Sequence, residues 1–221
     1  MTTTFVMAVH FVSRYVKSVL LLRLINPMYG NNDVKSILLA GVGGQGILRA
    51  SDILCLVMME SGMDVKKSEV HGMAQRGGCV TSHVRYGKKV YSPIAKKGDV
   101  DILLSFEKLE TLRYLDFMKP DGSIIINEKE LYPPSVNLGD TLYPANIIEL
   151  VEKIFKSVKV INANNIAIKA GDVRMENTAL LGVLSVYFQI DISLWEKVIL
   201  QSFPEKAIKE NLKAFHMGRV A

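Results

Sequence analysis

The segment "KSILLAGVGGQGILRASDILCLVMMESG", residues 35–62, constrains the fold of this chain more than any other. A short apolar run ends in a cluster of glycines. Apolar residues then recur at helical spacing (Ile47, Ala50, Ile53, Leu54, Val57, Met58), and Gly62 stands where a helix stops. The order is strand, glycine turn, helix. A helix with one apolar stripe needs a sheet or another helix beneath it, so this opening points to a layered α/β architecture.

The rest of the chain is read by its punctuation. "MDVKKSEV" predicts a second strand. "CVTSHVRYG" and "KKVYSPI" alternate on either side of Gly87 and predict a hairpin. "VDILLSF" predicts a buried strand, followed by a helix from Glu107 to about Met118, a turn at "PDG" and a strand at "SIIIN". A looser, proline-containing stretch runs to Pro144. "ANIIELVEKIFK" then reads as a helix, "SVKVINA" as a strand, and everything from Val173 onward as helical. The expected fold is a three-layer α/β/α arrangement with a mostly parallel, mixed sheet, Rossmann-like at its start and helical in its C-terminal third.

Residues 34–221 are expected to form a single domain. Residues 1–33 are set apart as an N-terminal extension. Their first 32 residues carry Arg14, Lys17 and Arg23 and no acid, and those charges, with His10, interrupt the apolar run before it is long enough to span a bilayer. A start at Met28 fits the change of character near Val34. Net charge is +5, of which +3 lies in those first 32 residues. The remaining 24 basic and 22 acidic residues nearly balance, so neither a nucleic-acid nor a membrane partner is expected. Two cysteines, Cys55 and Cys79, give no disulfide framework and suit a reducing, cytoplasmic setting. They also fall short of the four thiolates that an iron–sulfur cluster needs.

Gly41, Gly43 and Gly46 fit G-x-G-x-x-G, with Gly44 and Gln45 inside the turn. Glycines let the backbone turn tightly and approach a ligand, and a helix start offers unpaired N–H groups to an anion. These five residues are the candidate cofactor-binding turn. A dinucleotide reading also needs an acid at the end of the second strand. Asp64 stands at the wrong end of it and Glu69 lies far along. A free-standing NAD(P)-dependent oxidoreductase or a nucleotide-binding module is therefore the alternative reading. A third is that the glycines only permit close helix–strand packing.

"EVHGMAQRGGCVTSHVR", residues 69–85, concentrates polar chemistry around glycines. Strand alternation puts Glu69 and His71 on one face, and Gly72 breaks the strand. Gln75 and Arg76 project from a loop closed by Gly77 and Gly78, and Arg76 offers a planar donor fork to a carboxylate or phosphate. His83 and Arg85 share a face of the next strand. Glu69, His71 and His83 lack the spacing of a metal site, and Cys79 with a histidine lacks an orienting third group. No metal ligand and no catalytic residue is assigned. His10 and His216 read as structural. "GDT" at 139–141 with Asn164–Asn165 imitates a thiamine diphosphate motif but lacks its third glycine.

"GVGGQGIL", "EVHGMAQRGGCVTSHVR", "SPIAKKGDVDILLSFEKLETLR" and "ENTALLG" together resemble the gamma-type subunit of 2-oxoacid:ferredoxin oxidoreductases, most closely its indolepyruvate branch, where this subunit is the small beta chain. The resemblance covers residues 34–221. It implies oxidative decarboxylation of a 2-oxo acid to an acyl-coenzyme A, with electrons passing to ferredoxin through the complex. Thiamine diphosphate and iron–sulfur clusters then sit on a large partner subunit, and coenzyme A is the co-substrate. By the same resemblance, the glycine turn and Glu69, His71, Gln75, Arg76, Gly77, Gly78 and Ser82 line a cofactor, substrate or interface pocket, with Arg76 as the anion contact. Ser105, Glu107 and Glu110, at a strand end and helix start, are expected at its rim.

Overall fold

The structure is a computed structural model and describes residues 34–72 and 78–221. A six-stranded sheet has the order β2-β3-β1-β4-β5-β6. Its strands are β1 (Lys35–Val42), β2 (Asp64–His71), β3 (Cys79–Gly87), β4 (Val100–Ser105), β5 (Met118–Asn127) and β6 (Ser157–Ile161). β3 runs antiparallel to both β1 and β2, and β1, β4, β5 and β6 pair in parallel. The sheet is mixed, as expected. β1 and β4 are buried almost throughout because helices cover both faces there.

Helix α1 (Ile47–Glu60) lies on one face with α5 (Ala163–Ala170), α6 (Glu176–Ser185), α7 (Ile192–Ser202) and α8 (Glu205–Arg219). Ile37 and Leu39 of β1 point into that layer and share its core with Ile53, Leu54, Val57, Trp195 and Phe215. Leu38 and Ala40 point the other way, toward the layer of α2 (Lys108–Arg113) and α4 (Ile147–Ile154), with Leu115, Val151 and Phe155. The one-turn helix α3 (Pro134–Asn137) interrupts the loop between β5 and α4. Among the described residues no helix is long and apolar enough to cross a membrane.

Three expectations are corrected. "KKVYSPI" is not a strand: β3 already has β1 on one side and β2 on the other, so no edge is left for a partner after Gly87. The antiparallel partner of β3 comes before it in the chain. Val90 instead donates its N–H to Asp64 Oδ2 at 2.8 Å, and Tyr91 points to solvent. The helix after Glu107 stops at Arg113, and a 3₁₀ turn, Leu115–Phe117, leads straight into β5. "PDG" lies within β5, where residues 119–122 bulge opposite the single residue Asp101. The segment at 163–170 is helical, started by Asn162 Oδ1, which accepts the N–H of Asn165 at 2.9 Å.

The C-terminal helices approach one another closely. A Cβ on Gly182 of α6 would run into the backbone of Phe215, and one on Gly218 of α8 would run into that of Ala179. Backbone cannot give way as a side-chain tip can. Gly182→Ala and Gly218→Ala are each expected to destabilise the protein by about 1–3 kcal/mol through overpacking. Urea unfolding followed by Trp195 fluorescence, whose ring stacks on Phe215 with centroids 5.7 Å apart, measures this directly.

Candidate functional site: the crevice at the ends of β1 and β4

The α1 connection leaves β1 over one face of the sheet, and the α2 connection leaves β4 over the other. Where neighbouring parallel strands send their connections to opposite faces, a crevice opens at their C-terminal ends, the usual ligand position in such sheets. The glycine turn sits in that opening.

The turn is stitched from within. Gln45 N–H donates to Val42 O at 3.1 Å, and Gly43 N–H donates to Gly78 O at 2.8 Å. The Gln45 side chain folds back across the crevice. Its Oε1 accepts Val42 N–H at 2.7 Å, and its Nε2 donates to Phe106 O at 2.9 Å. A Cβ on Gly41 would stand 2.7 Å from Gln45 Oε1 and 2.8 Å from Phe106 Cβ, so only glycine admits this arrangement. Gly46 turns the chain into α1 at φ 73°, and no side chain caps that helix start. Gly41, Gln45 and Gly46 therefore build the crevice, and the exposed Gly43 and Gly44 present backbone to whatever enters it.

The polar stretch reaches the same edge. His71 ends β2, Gly72 donates its N–H to Cys79 O at 2.7 Å, and Gly78 holds the glycine turn through Gly43. Gln75, Arg76 and Gly77 lie outside the described residues, between those two anchored glycines. Glu69, Ser82 and His71 share the face that α1 covers. Glu69 Oε1 pairs with Lys67 Nζ at 2.6 Å, and Glu69 Oε2 is 3.9 Å from His71 Nε2. Ser82 is fully buried, with its hydroxyl unpartnered.

His83 is on the opposite face, because it follows Ser82 by one residue. Its Nδ1 accepts the N–H of Ala95 at 3.4 Å, its ring meets Phe117 edge-on, and burial pushes its pKa down. It cannot join Glu69 and His71 around one ion. Among the described residues no group of three or more His, Cys, Asp or Glu side chains is placed to hold a metal. Among the described residues Cys79 meets no histidine either. Its Sγ lies 2.5 Å from the Tyr114 hydroxyl, and burial pushes the thiol up, away from nucleophilic use. Cys55, in α1, is pushed up to about 11 by burial.

At the end of β4, Ser105 Oγ donates to Glu107 O at 3.2 Å. The buried Glu107 carboxylate accepts three hydrogen bonds: from Glu110 N–H as the cap of α2, from Leu131 N–H, and from the Tyr143 hydroxyl. It fastens the 128–146 connection over the site. Both oxygens accept from the scaffold, which marks Glu107 as a rim-builder.

The sequence gives no role to the residues that close the crevice from behind. Asn127, ending β5, donates from Nδ2 to Phe106 O at 3.2 Å and to Glu176 Oε1 at 3.1 Å, and accepts Ala163 N–H at 3.1 Å. Glu176 Oε2 pairs with Lys129 Nζ at 2.6 Å. The signal for this was a polar Glu176–Asn177 pair opening an otherwise apolar helix.

The chain holds two cysteines in all, on α1 and β3, and does not fit an iron–sulfur cluster of four thiolates. It does not fit thiamine diphosphate either. Gly139–Thr141 sits in a loop, and α4 and β6 separate it from Asn164–Asn165 on α5.

Fold and crevice together define a small α/β protein with a glycine turn set in the opening at its strand ends. Residues 36–221 match the family described as pyruvate ferredoxin/flavodoxin oxidoreductase, and the chain belongs to it. The indolepyruvate oxidoreductase subunit IorB of Pyrococcus horikoshii is 38% identical over 188 residues, 83% of this chain and 93% of that one. The subunit of the same name from Archaeoglobus fulgidus is 38% identical over 187 residues, 83% of this chain and 92% of its own length. In fold, the chain resembles the gamma subunit of a keto/oxoacid ferredoxin oxidoreductase from Geobacter sulfurreducens, with TM-score 0.61 and 24% identity over 83% of this chain and 95% of that one. It also resembles part of the 2-oxoglutarate:ferredoxin oxidoreductase of Magnetococcus marinus, with 2-oxoglutarate, coenzyme A and succinyl-CoA bound: TM-score 0.67, 21% identity, 86% of this chain but only 31% of the other.

Glu110 provides a pH test of the site's flank. Its side chain is buried beside the Cys79 thiol. Burial raises its pKa above the ordinary carboxylate value, against the pull of Arg113, whose Nε lies 3.0 Å from Oε1. The folded state thus holds this proton more tightly than the unfolded chain does. The group supports folding below the ordinary carboxylate pKa, and that support is lost as pH rises toward the higher folded-state value. Glu110→Gln is expected to gain stability relative to wild type as pH climbs through that window, read from thermal midpoints across a pH series. A constant difference at every pH rules the linkage out.

Proposed function

We propose that this chain, the small, IorB-like subunit of a 2-oxoacid:ferredoxin oxidoreductase, supplies one wall of a cleft completed by a large partner subunit. In this reading the partner carries thiamine diphosphate and the iron–sulfur clusters. Together they oxidatively decarboxylate an aryl pyruvate such as indolepyruvate to its acyl-coenzyme A and pass the electrons to ferredoxin. The observation that carries it is identity of 38% across 93% of an indolepyruvate oxidoreductase subunit of about this size. The chain's two free cysteines agree with cofactors held elsewhere and with a reducing, cytoplasmic compartment. The proposed contact surface is the crevice: Gly43 and Gly44 with the 72–78 connection, Glu69, His71 and Ser82 behind it, and Ser105 and Glu107 at its rim. Coenzyme A is the anionic ligand assigned there, with Arg76 as its charged contact.

The stand-alone dinucleotide enzyme is disfavoured by two features. The N–H groups of Gly43 and Gln45 are already spent on Gly78 and Val42. Asp64 is at the far end of β2 from the turn, tied to Lys66 and to Val90 N–H.

The isolated chain is expected to show no 2-oxo-acid-dependent ferredoxin reduction and to gain it on reconstitution with a thiamine- and cluster-bearing partner. Activity of the chain alone with NAD would sink the proposal. In the reconstituted complex Arg76→Ala is expected to weaken coenzyme A binding by roughly 10- to 100-fold, the value of one charge-assisted hydrogen bond. Unchanged affinity in calorimetry places Arg76 outside the pocket.

A further inference from the structure

The geometry points to Asn177 and Glu176, the first two residues of α6, as positioning residues that set the conformation of the glycine turn from 130 residues away in sequence. Asn177 Nδ2 donates to Gly46 O at 3.4 Å, and its amide lies against the Gly46 Cα so closely that a Cβ there would collide with it. Gly46 is the left-handed residue, at φ 73°, through which the turn enters α1. Side chains rarely adopt that backbone conformation, and here one would also displace the amide. Asn177 thus occupies the space that the missing side chain leaves and presses the turn from the helical layer.

Glu176 acts on the other side of the same opening. It holds the Asn127 amide, which shares the Phe106 carbonyl with Gln45. Its second oxygen is fixed by Lys129, and its side chain is only 12% exposed. One helix start therefore touches the turn directly through Gly46 and indirectly through Asn127, Phe106 and Gln45. α6 itself cannot shift to relieve the contact, because Gly182 packs against the backbone of α8. The pair is a rigid brace. It fixes how far Gly43 and Gly44 stand from the end of β4, and hence the width of the crevice mouth.

The brace stands on this geometry alone, and its effect on turnover rests on the subunit reading above. Asn177→Asp keeps the shape and removes the amide donor, and Asn177→Ala also empties the space. Both are tested in the reconstituted complex, with amide hydrogen exchange and steady-state kinetics read in parallel. Exchange across Gly43–Arg49 is expected to quicken about 5- to 10-fold, while β4, Val100–Ser105, keeps wild-type protection. KM for coenzyme A is expected to rise by a similar factor with kcat near wild type. Unchanged exchange at Gly43–Arg49, or equal quickening in β4, overturns the brace. Selective quickening with an unchanged KM upholds the brace and instead removes coenzyme A from the turn, so the two readings fail separately.

Discussion

One carbonyl organises the functional end of this protein. Phe106 O stands just past β4 and accepts two side-chain amides, Gln45 from the glycine turn and Asn127 from the end of β5. Its own N–H donates to Ala40 O at 2.8 Å. Through this residue the ends of β1, β4 and β5 are held in one geometry although ladder hydrogen bonding has stopped. A buried carbonyl left unpaired costs on the order of 1–3 kcal/mol, so each amide has a strong reason to stay. The Phe106 ring is buried in the α1-side core, which fixes the backbone that carries the carbonyl.

That constraint separates scaffold from surface within one short motif. Gly41, Gln45 and Gly46 are consumed by packing and hydrogen bonding, and Gly43 and Gly44 remain outward. The same division recurs in the polar stretch. His83 is a buried, bonded side chain beneath the sheet, whereas His71 is exposed at its edge. Polar density in a sequence therefore marks the neighbourhood of a site more reliably than it assigns roles. Here the buried polar groups hold the shape, and the glycines beside them leave backbone accessible for contact.

The chemistry follows from what the chain lacks as much as from what it has. The chain's two thiols, both with pKa raised by burial, fall short of the four that an iron–sulfur cluster needs. In the proposed reading this subunit contributes geometry, and the electrons and the carbanion belong to a partner.

Much of this was legible in the sequence for local reasons. The strand, glycine turn and helix at 35–60 follow from apolar runs, helical spacing and Gly62, all of which act within a few residues. The helical last third was read the same way, and the joined order of motifs carried the family; the sheet is mixed as expected, but through β3 pairing with β1 and β2 and not through a hairpin at Gly87. Strand order was not legible, because pairing is set by which edge is free: β3 fills both its edges with β1 and β2 and so denied "KKVYSPI" a place. Nor was the Glu176–Asn177 brace, since those side chains gain meaning only when the start of α6 packs against Gly46 and Asn127. Sequence determined where the chain turns and what it can present there. Tertiary packing decided which of those groups face inward, because a side chain's partner across the fold is fixed by layers that no local pattern records.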